Sequence, residues 1–173
     1  MKRKKPPSKR VYHYEINEEG ELLFEGRPLL DEKTISFFLR HLKPVDENDS
    51  DAFPLIEGKT LPQYVVYCQG EKNFVTCLDT PLVTTSLDII KSKEGKILSV
   101  TLIFRGGIKE ILNPKTLSID TNNILYFMAL KGKVKGRFSR KCYIEITNFI
   151  FEKDGVYILE INDKTYPIKP GVL

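Results

Sequence analysis

The chain has 173 residues, a length that suits one compact domain or two small, closely packed ones. Its 41% apolar content includes no apolar run long enough to cross a membrane, so we expect a soluble protein. Lys and Arg number 27 against 23 Asp and Glu, but six of these bases lie within residues 1–10. The remainder is close to neutral, so the net charge of +4 does not by itself indicate nucleic-acid binding.

Residues 1–10 form a basic segment with two prolines and no apolar residue after Met1. Such a segment cannot bury enough apolar surface to fold, so we predict a disordered tail. It also lacks the apolar stretch of a signal peptide. Weak contact with phosphates is one hypothesis for its role, and solubilisation is the other.

Residues 11–80 predict a β-rich lobe with one helix. Two strand patterns separated by Gly-containing turns, at residues 17–20 and 70–71, are typical of β-hairpins.

The helix of this lobe is predicted at about 31–43. Asp31 is placed to cap it, and apolar residues recur at the helical spacing as far as Leu42. Pro44 cannot continue a helix, so the helix should end just before it.

Residues 81–173 predict a second β-rich lobe, which ends in a C-terminal β-hairpin. Two short strand patterns there flank Asn162-Asp163, a two-residue turn in which Asp163 must adopt a positive φ.

The stretch Ser139–Glu152 allows two interpretations. Its β-branched and aromatic residues favour a strand. Against that, four residues from Tyr143 to Ile150 recur at the helical spacing, and Ser139 stands where an N-cap would be. The residues alone leave helix and strand equally open.

Cysteine and histidine usage gives no sign of a metal or cofactor site. Cys68, Cys77 and Cys142 are an odd number without C-x-x-C spacing, which fits reduced, buried thiols in a reducing compartment. The two histidines show no paired zinc-ligand spacing, and no nucleophile or phosphate-loop motif is present. We therefore predict no metal and no cofactor, and we keep catalysis as an alternative only.

The order of several short motifs along the chain carries a resemblance. The motifs are Tyr12-His13-Tyr14, Gly20, Gly26 with Pro28, Ala52-Phe53-Pro54, Lys72-Asn73-Phe74, Cys77, Asp79 with Pro81, and Arg137, Arg140 and Tyr143 with Glu145. Taken together they resemble an uncharacterised domain-of-unknown-function family with bacterial members and mitochondrial relatives in animals. The resemblance implies an α+β fold of two β-rich parts and a helix at about 139–152. It implies no activity. The short basic tail differs from a mitochondrial precursor, so we expect a bacterial-type cytoplasmic location.

A candidate binding site lies where six bases without an acid, from Lys131 to Lys141, surround Ser139. If Ser139 caps a helix, the free N–H groups of the first turn and the positive end of the helix dipole would attract an anion. The predicted ligand-binding residues are Arg137, Ser139, Arg140, Tyr143, Lys72, Asn73 and Asp79.

Two structural alternatives stand beside that site. Asp79, Glu145 or another carboxylate could pair with the arginines and join the two lobes. Asp79 before Thr80-Pro81 is also typical of a turn. The alternating lysines of the same stretch could protect the edge of a sheet from pairing with another chain.

These observations predict a non-enzymatic binding or regulatory module for an anionic small molecule or an acidic partner. The alternatives are an enzyme acting on a phosphorylated or carboxylate substrate, and a nucleic-acid-binding protein that uses the basic tail. A pocket near Ser139 that holds Asp79 or a histidine would favour the enzyme. A flat basic face with exposed aromatic residues would favour nucleic acid.

Overall fold

The computed structural model describes residues 10–46, 51 and 61–171. The first half contains β1 (Val11–Ile16), β2 (Leu22–Phe24), β3 (Arg27–Pro28), α1 (Glu32–Arg40), β4 (Lys43–Pro44), β5 (Tyr64–Cys68) and β6 (Glu71–Cys77). The second half contains β7 (Leu82–Lys91), β8 (Ile97–Phe104), β9 (Lys109–Ile111), β10 (Ser118–Ile119), β11 (Leu125–Ala129), β12 (Val134–Arg137), α2 (Arg140–Thr147), β13 (Ile150–Lys153), β14 (Val156–Ile161), β15 (Lys164–Pro167) and β16 (Lys169–Pro170). Short 3-10 turns occupy Arg105–Gly107 and Pro114–Thr116. Neither α1 nor α2 is long and apolar enough to cross a membrane.

Two parts of the sequence analysis lie outside the described residues. These are the basic tail, apart from Arg10, and the motif at residues 52–54.

The strands of the described residues form three sheets. The first has the order β3-β2-β1-β6-β5-β4, with β1 antiparallel to β2 and parallel to β6. The second has the order β16-β10-β11-β12-β7-β8-β9, and the third is β13-β14-β15. Two helices and three sheets confirm the predicted α+β class. The predicted lobe boundary, between residues 80 and 81, falls between β6 and β7.

Helix α1 begins as predicted and ends earlier. The carboxylate of Asp31 accepts a 2.8 Å hydrogen bond from the Thr34 N–H, which caps the first turn. The apolar stripe of the helix is buried against the core, including Phe38 at 5% exposure. The helix ends at Arg40 because Lys43 and Pro44 leave it and pair with β5 as β4, so the predicted end at residue 43 is too late.

Helix α2 confirms the helical alternative for only part of its stretch. Ser139 is the N-cap, and the helix ends at Thr147. Residues Ile150–Lys153 form β13, which pairs antiparallel with β14 through a tight turn at Asp154. The predicted helix end at residue 152 is therefore wrong. The β-branched and aromatic residues at the end of this stretch pair with β14, and they could not make that pairing within a helix.

Strand β12 lies inside the second sheet, between β11 and β7. The prediction that this stretch forms the free edge of a sheet is therefore wrong for Gly136 and Arg137, which pair with β7. Lys131 lies in the turn before the strand with a φ of 62°, and Lys135 projects from an interior strand. The C-terminal hairpin is confirmed, with positive φ at both Asn162 (51°) and Asp163 (57°).

One continuous apolar core joins the two halves, and it includes Ile16 and Phe38 from the first half with Phe127 and Leu159 from the second. Helix α1 packs closely against the turn at Gly106. A Cβ atom at Gly106 would lie 2.5 Å from the backbone nitrogen of Ser36, so only glycine fits there without a shift.

Candidate functional site

The structure distributes the predicted site residues over four places. Arg137 and Asp79 meet at the junction of the first two sheets, and Ser139 with Arg140 begins α2. Tyr143 lines a separate groove. Lys72 and Asn73 lie on β6 of the first sheet.

The junction contains a polar cluster around Asp79. Tyr126 and Arg137 are direct partners across β11 and β12, so their side chains project from the same face. Arg137 Nε lies 3.4 Å from Asp79 Oδ2, and the Tyr126 hydroxyl lies 3.3 Å from the same oxygen. The ammonium of Lys135 stands 3.8 Å from the centroid of the Tyr126 ring. Sequence reasoning missed Tyr126, because only the strand register brings it to Asp79 and beneath Lys135.

Burial governs the chemistry of this cluster. It raises the pKa of the Tyr126 phenol to about 12, and the nearby charge of Asp79 adds to that rise. It also raises the pKa of the Cys77 thiol to about 11, again with a contribution from Asp79. Both groups are therefore neutral at physiological pH, and Cys77 has the character of an inert structural thiol.

Two arginines of the second half hold the turn between β1 and β2. Arg137 donates through Nη2 to the backbone carbonyl of Glu18. Arg105 Nη2 lies 3.1 Å from the carboxylate of Glu21. The turn itself is ordered by Asn17, whose side-chain oxygen accepts a 2.8 Å hydrogen bond from the Glu21 N–H. For Arg137 the structure thus shows the internal alternative, in which Asp79 pairs with the arginine and links the two halves.

Arg140, at the start of α2, is more exposed to solvent than Arg137. Ser139 Oγ accepts from the Cys142 N–H at 3.4 Å, and the Ser139 N–H donates to Thr84 Oγ1 at 2.9 Å. Arg140 is exposed, and the first turn contains no acidic residue. Anion binding by Arg140 stays a prediction.

Lys72 and Asn73 have local structural partners instead of meeting Asp79. Asn73 is 4% exposed, and its side-chain nitrogen donates a 3.1 Å hydrogen bond to the Val66 carbonyl. Lys72 Nζ lies 2.9 Å from a carboxylate oxygen of Asp51. Nothing in these contacts joins the two residues to the Arg137 cluster.

A groove of about 240 Å³ opens between α2, the third sheet and β10–β11. The lining residues are Ile119, Asn123, Leu125, Tyr143, Thr147, Ile150, Glu152, Tyr157 and Ile168. Its floor includes Leu125 and Ile168, which are buried, whereas Tyr157 and Glu152 are exposed near its mouth. Of these residues, sequence reasoning identified only Tyr143 as part of a site. Among the described residues, no cluster of three or more His, Cys, Asp or Glu could hold a metal ion.

The fold is shared with two crystal structures of bacterial proteins. A DUF1285 family protein from Silicibacter pomeroyi DSS-3 is 13% identical with a TM-score of 0.63, over 94% of this chain and 84% of that one. A DUF1285 family protein from Shewanella baltica OS155 is 21% identical with a TM-score of 0.52, over 78% of this chain and 90% of that one. At these identities the similarity shows the fold alone. The model of a domain of unknown function, DUF4505, matches residues 3–166, and the chain therefore belongs to the DUF4505 family.

Proposed function

We propose that this protein is a non-enzymatic binding module that takes a small molecule in the groove between α2, β10–β11 and the third sheet. The observation that carries the proposal is a concave surface of about 240 Å³ that combines an apolar floor with tyrosines and a few polar groups at its mouth. Ligand sites of proteins have this composition, and the pockets that bind drug-sized ligands measure about 300–1,000 Å³. The groove therefore suits a ligand somewhat smaller than a typical drug.

The lining residues support binding more than catalysis. They include one carboxylate, Glu152, and neither a histidine nor a cysteine. A Ser, Cys or Thr nucleophile needs an adjacent general base to activate it, and Thr147 is the only such residue of the lining. The hydroxyl of Thr147 is already engaged, because it donates to the Ile144 carbonyl at 3.1 Å.

The groove also changes the ligand chemistry that the sequence favoured. Its charged lining residue is acidic, and Arg137, the strongest anion-binding candidate, is engaged by Asp79 and Glu18. A ligand with an apolar body therefore fits the groove better than an anion. Arg140, at the start of α2, does not line the groove, so this argument does not apply to the predicted anion site there.

The proposal includes the cellular location of the protein. Cys68, Cys77 and Cys142 are all free thiols, which supports a reducing compartment such as the cytoplasm. Thiol titration of the denatured protein, purified without reductant and shielded from air, should count three thiols. A count of one would reveal a disulfide and contradict this location.

The bacterial and mitochondrial relatives that the resemblance implied stay a prediction.

Ligand binding can be tested by NMR with ¹⁵N-labelled protein and a library of small, mostly apolar compounds. Binding in the groove should shift the amide signals of Ile119, Thr147 and Tyr157. Thr147→Phe should fill the groove and abolish these shifts. Thr165→Phe makes the same change at an exposed site of β15 outside the groove, so it should leave them intact. If no compound shifts the groove signals of the parent protein, the proposed function is wrong.

A further inference from the structure

We infer that the ligand of the groove carries a positively charged, ammonium-type group. This inference rests on the proposed function and names the chemical class that the site would select. It follows from the single charged side chain of the lining and from the aromatic residues beside it.

Glu152 is positioned to meet a cation. It is paired directly with Tyr157 across β13 and β14, so the two side chains share one face of the third sheet, the face that lines the groove. The neighbouring base Lys153 follows Glu152 in β13 and projects from the opposite face. No Lys or Arg among the described residues forms an ion pair with Glu152. Its charge is therefore available to a ligand.

Two tyrosines add to the attraction for a cation. Tyr143 reaches the groove from α2, and Tyr157 reaches it from β14. The faces of aromatic rings attract ammonium groups, most strongly where water is partly excluded. Leu125 and Ile168 beneath them are 1% and 4% exposed, and they would receive the apolar body of the ligand.

Other ligand charges fit less well. A carboxylate or phosphate in the groove would be repelled by Glu152 and would find no base among the lining residues. A neutral ligand would gain the apolar contacts but nothing from Glu152. The site should therefore prefer a cation to a neutral molecule, and a neutral molecule to an anion.

Three probes that share a phenyl body separate these classes: 2-phenylethylammonium, 2-phenylethanol and 3-phenylpropanoate. Each is titrated into ¹⁵N-labelled protein at low ionic strength, and the groove signals are followed. The ammonium probe should bind the parent about five- to ten-fold more tightly than the alcohol. The carboxylate should bind most weakly.

Variants assign the preference to its residues. Glu152→Gln should remove the larger part of the ammonium preference and leave only the part that the tyrosines contribute. Asp154→Asn removes the same charge from the adjacent exposed turn and suits its positive φ of 53°, so it should leave the preference unchanged. Tyr157→Leu should keep alcohol binding and reduce the ammonium preference.

The outcomes distinguish this inference from the proposal beneath it. If the alcohol binds as tightly as the ammonium probe, and Thr147→Phe abolishes both, the groove is a ligand site but the cation inference is wrong. If the ammonium preference is undiminished in Glu152→Gln, or is reduced equally in Asp154→Asn, the assignment to Glu152 is wrong. If no probe shifts the groove signals, the proposed function fails together with the inference.

Discussion

Arg137 Nε lies 3.4 Å from Asp79 Oδ2, and this ion pair connects the strand that precedes α2 to the segment between β6 and β7. The arginine nitrogen is buried and has no hydrogen-bond partner among the described residues, so Asp79 is its compensating charge. The same guanidinium binds the Glu18 carbonyl. One side chain thus joins three segments that are distant in sequence.

Loss of this link should destabilise the protein. Arg137→Gln leaves Asp79 without its cation and Glu18 without its charged donor, so it should lower the free energy of unfolding by about 1–2 kcal/mol. The figure is below that of a fully buried pair because the two side chains are 20% and 32% exposed. Urea denaturation measures it, with Lys141→Gln as an exposed control of the same charge change. Equal effects of the two substitutions would contradict the structural role of Arg137.

Arg140 provides the cleanest test of the predicted anion site, because Arg137 is engaged elsewhere. In a buffer without multivalent anions, Arg140→Glu should stabilise the protein by about 0.3–1 kcal/mol, since the first turn of α2 lacks an acid to complement the dipole. If an anion binds there, phosphate should stabilise the parent and not the variant. Thermal shift with and without phosphate, at matched ionic strength, measures both effects. Equal responses to phosphate would refute the anion site.

Two adjacent glycines test the contact between α1 and the second half. Gly106 and Gly107 both have a positive φ, of 70° and 65°, so alanine strains the backbone at either position. A Cβ atom at Gly106 would meet Ser36, whereas one at Gly107 would meet nothing within 4 Å. Gly106→Ala should therefore cost about 1–3 kcal/mol more than Gly107→Ala in urea denaturation. Similar losses of stability in the two variants would mean that α1 does not pack closely against this turn.

Stability should fall as the pH rises above about 9. Burial raises the pKa of Cys77 from 9.0 to about 11 and that of Tyr126 from 10.0 to about 12. The unfolded chain therefore releases these protons at a lower pH than the folded protein, and the stability that the neutral groups contribute is lost as the pH rises from about 9 to 12.

Tyr126→Phe removes one of the two groups, so its free energy of unfolding should fall less steeply between pH 9 and 11. Tyr67→Phe, at a ring that is 49% exposed, is the control. Denaturation in urea at several pH values gives both slopes. An unchanged slope in Tyr126→Phe would show that the folded protein does not protect this phenol.

The sequence was sufficient to predict features that depend only on neighbouring residues. Asp31 before an apolar stripe predicted the start of α1, and Asn162-Asp163 predicted the last hairpin, because caps and tight turns depend on a few adjacent residues. The end of α2 was missed. Whether residues 150–153 continue a helix depends on β14, a partner that the local pattern does not reveal.

The candidate sites depend on longer-range relationships. Asp79, Glu145 and other carboxylates were all possible partners for Arg137, and the sequence could not choose among them. The contact between Arg105 and Glu21 joins residues 84 positions apart and has no sequence signature. The groove draws its lining from β10, β11, α2 and the third sheet, so Glu152 becomes a candidate only when the register of β13 is known.

The position of β1 between β2 and β6 has a consequence for the newly made chain. Its antiparallel partner follows after a short turn, whereas its parallel partner begins opposite Val11 only at Lys72. A β1–β2 hairpin that forms before β6 has been made would therefore have one unpaired edge, and such an edge can pair with another copy. Conditions that slow synthesis between residues 24 and 71 should favour aggregation, and helper proteins that cover strand edges should matter most in that interval.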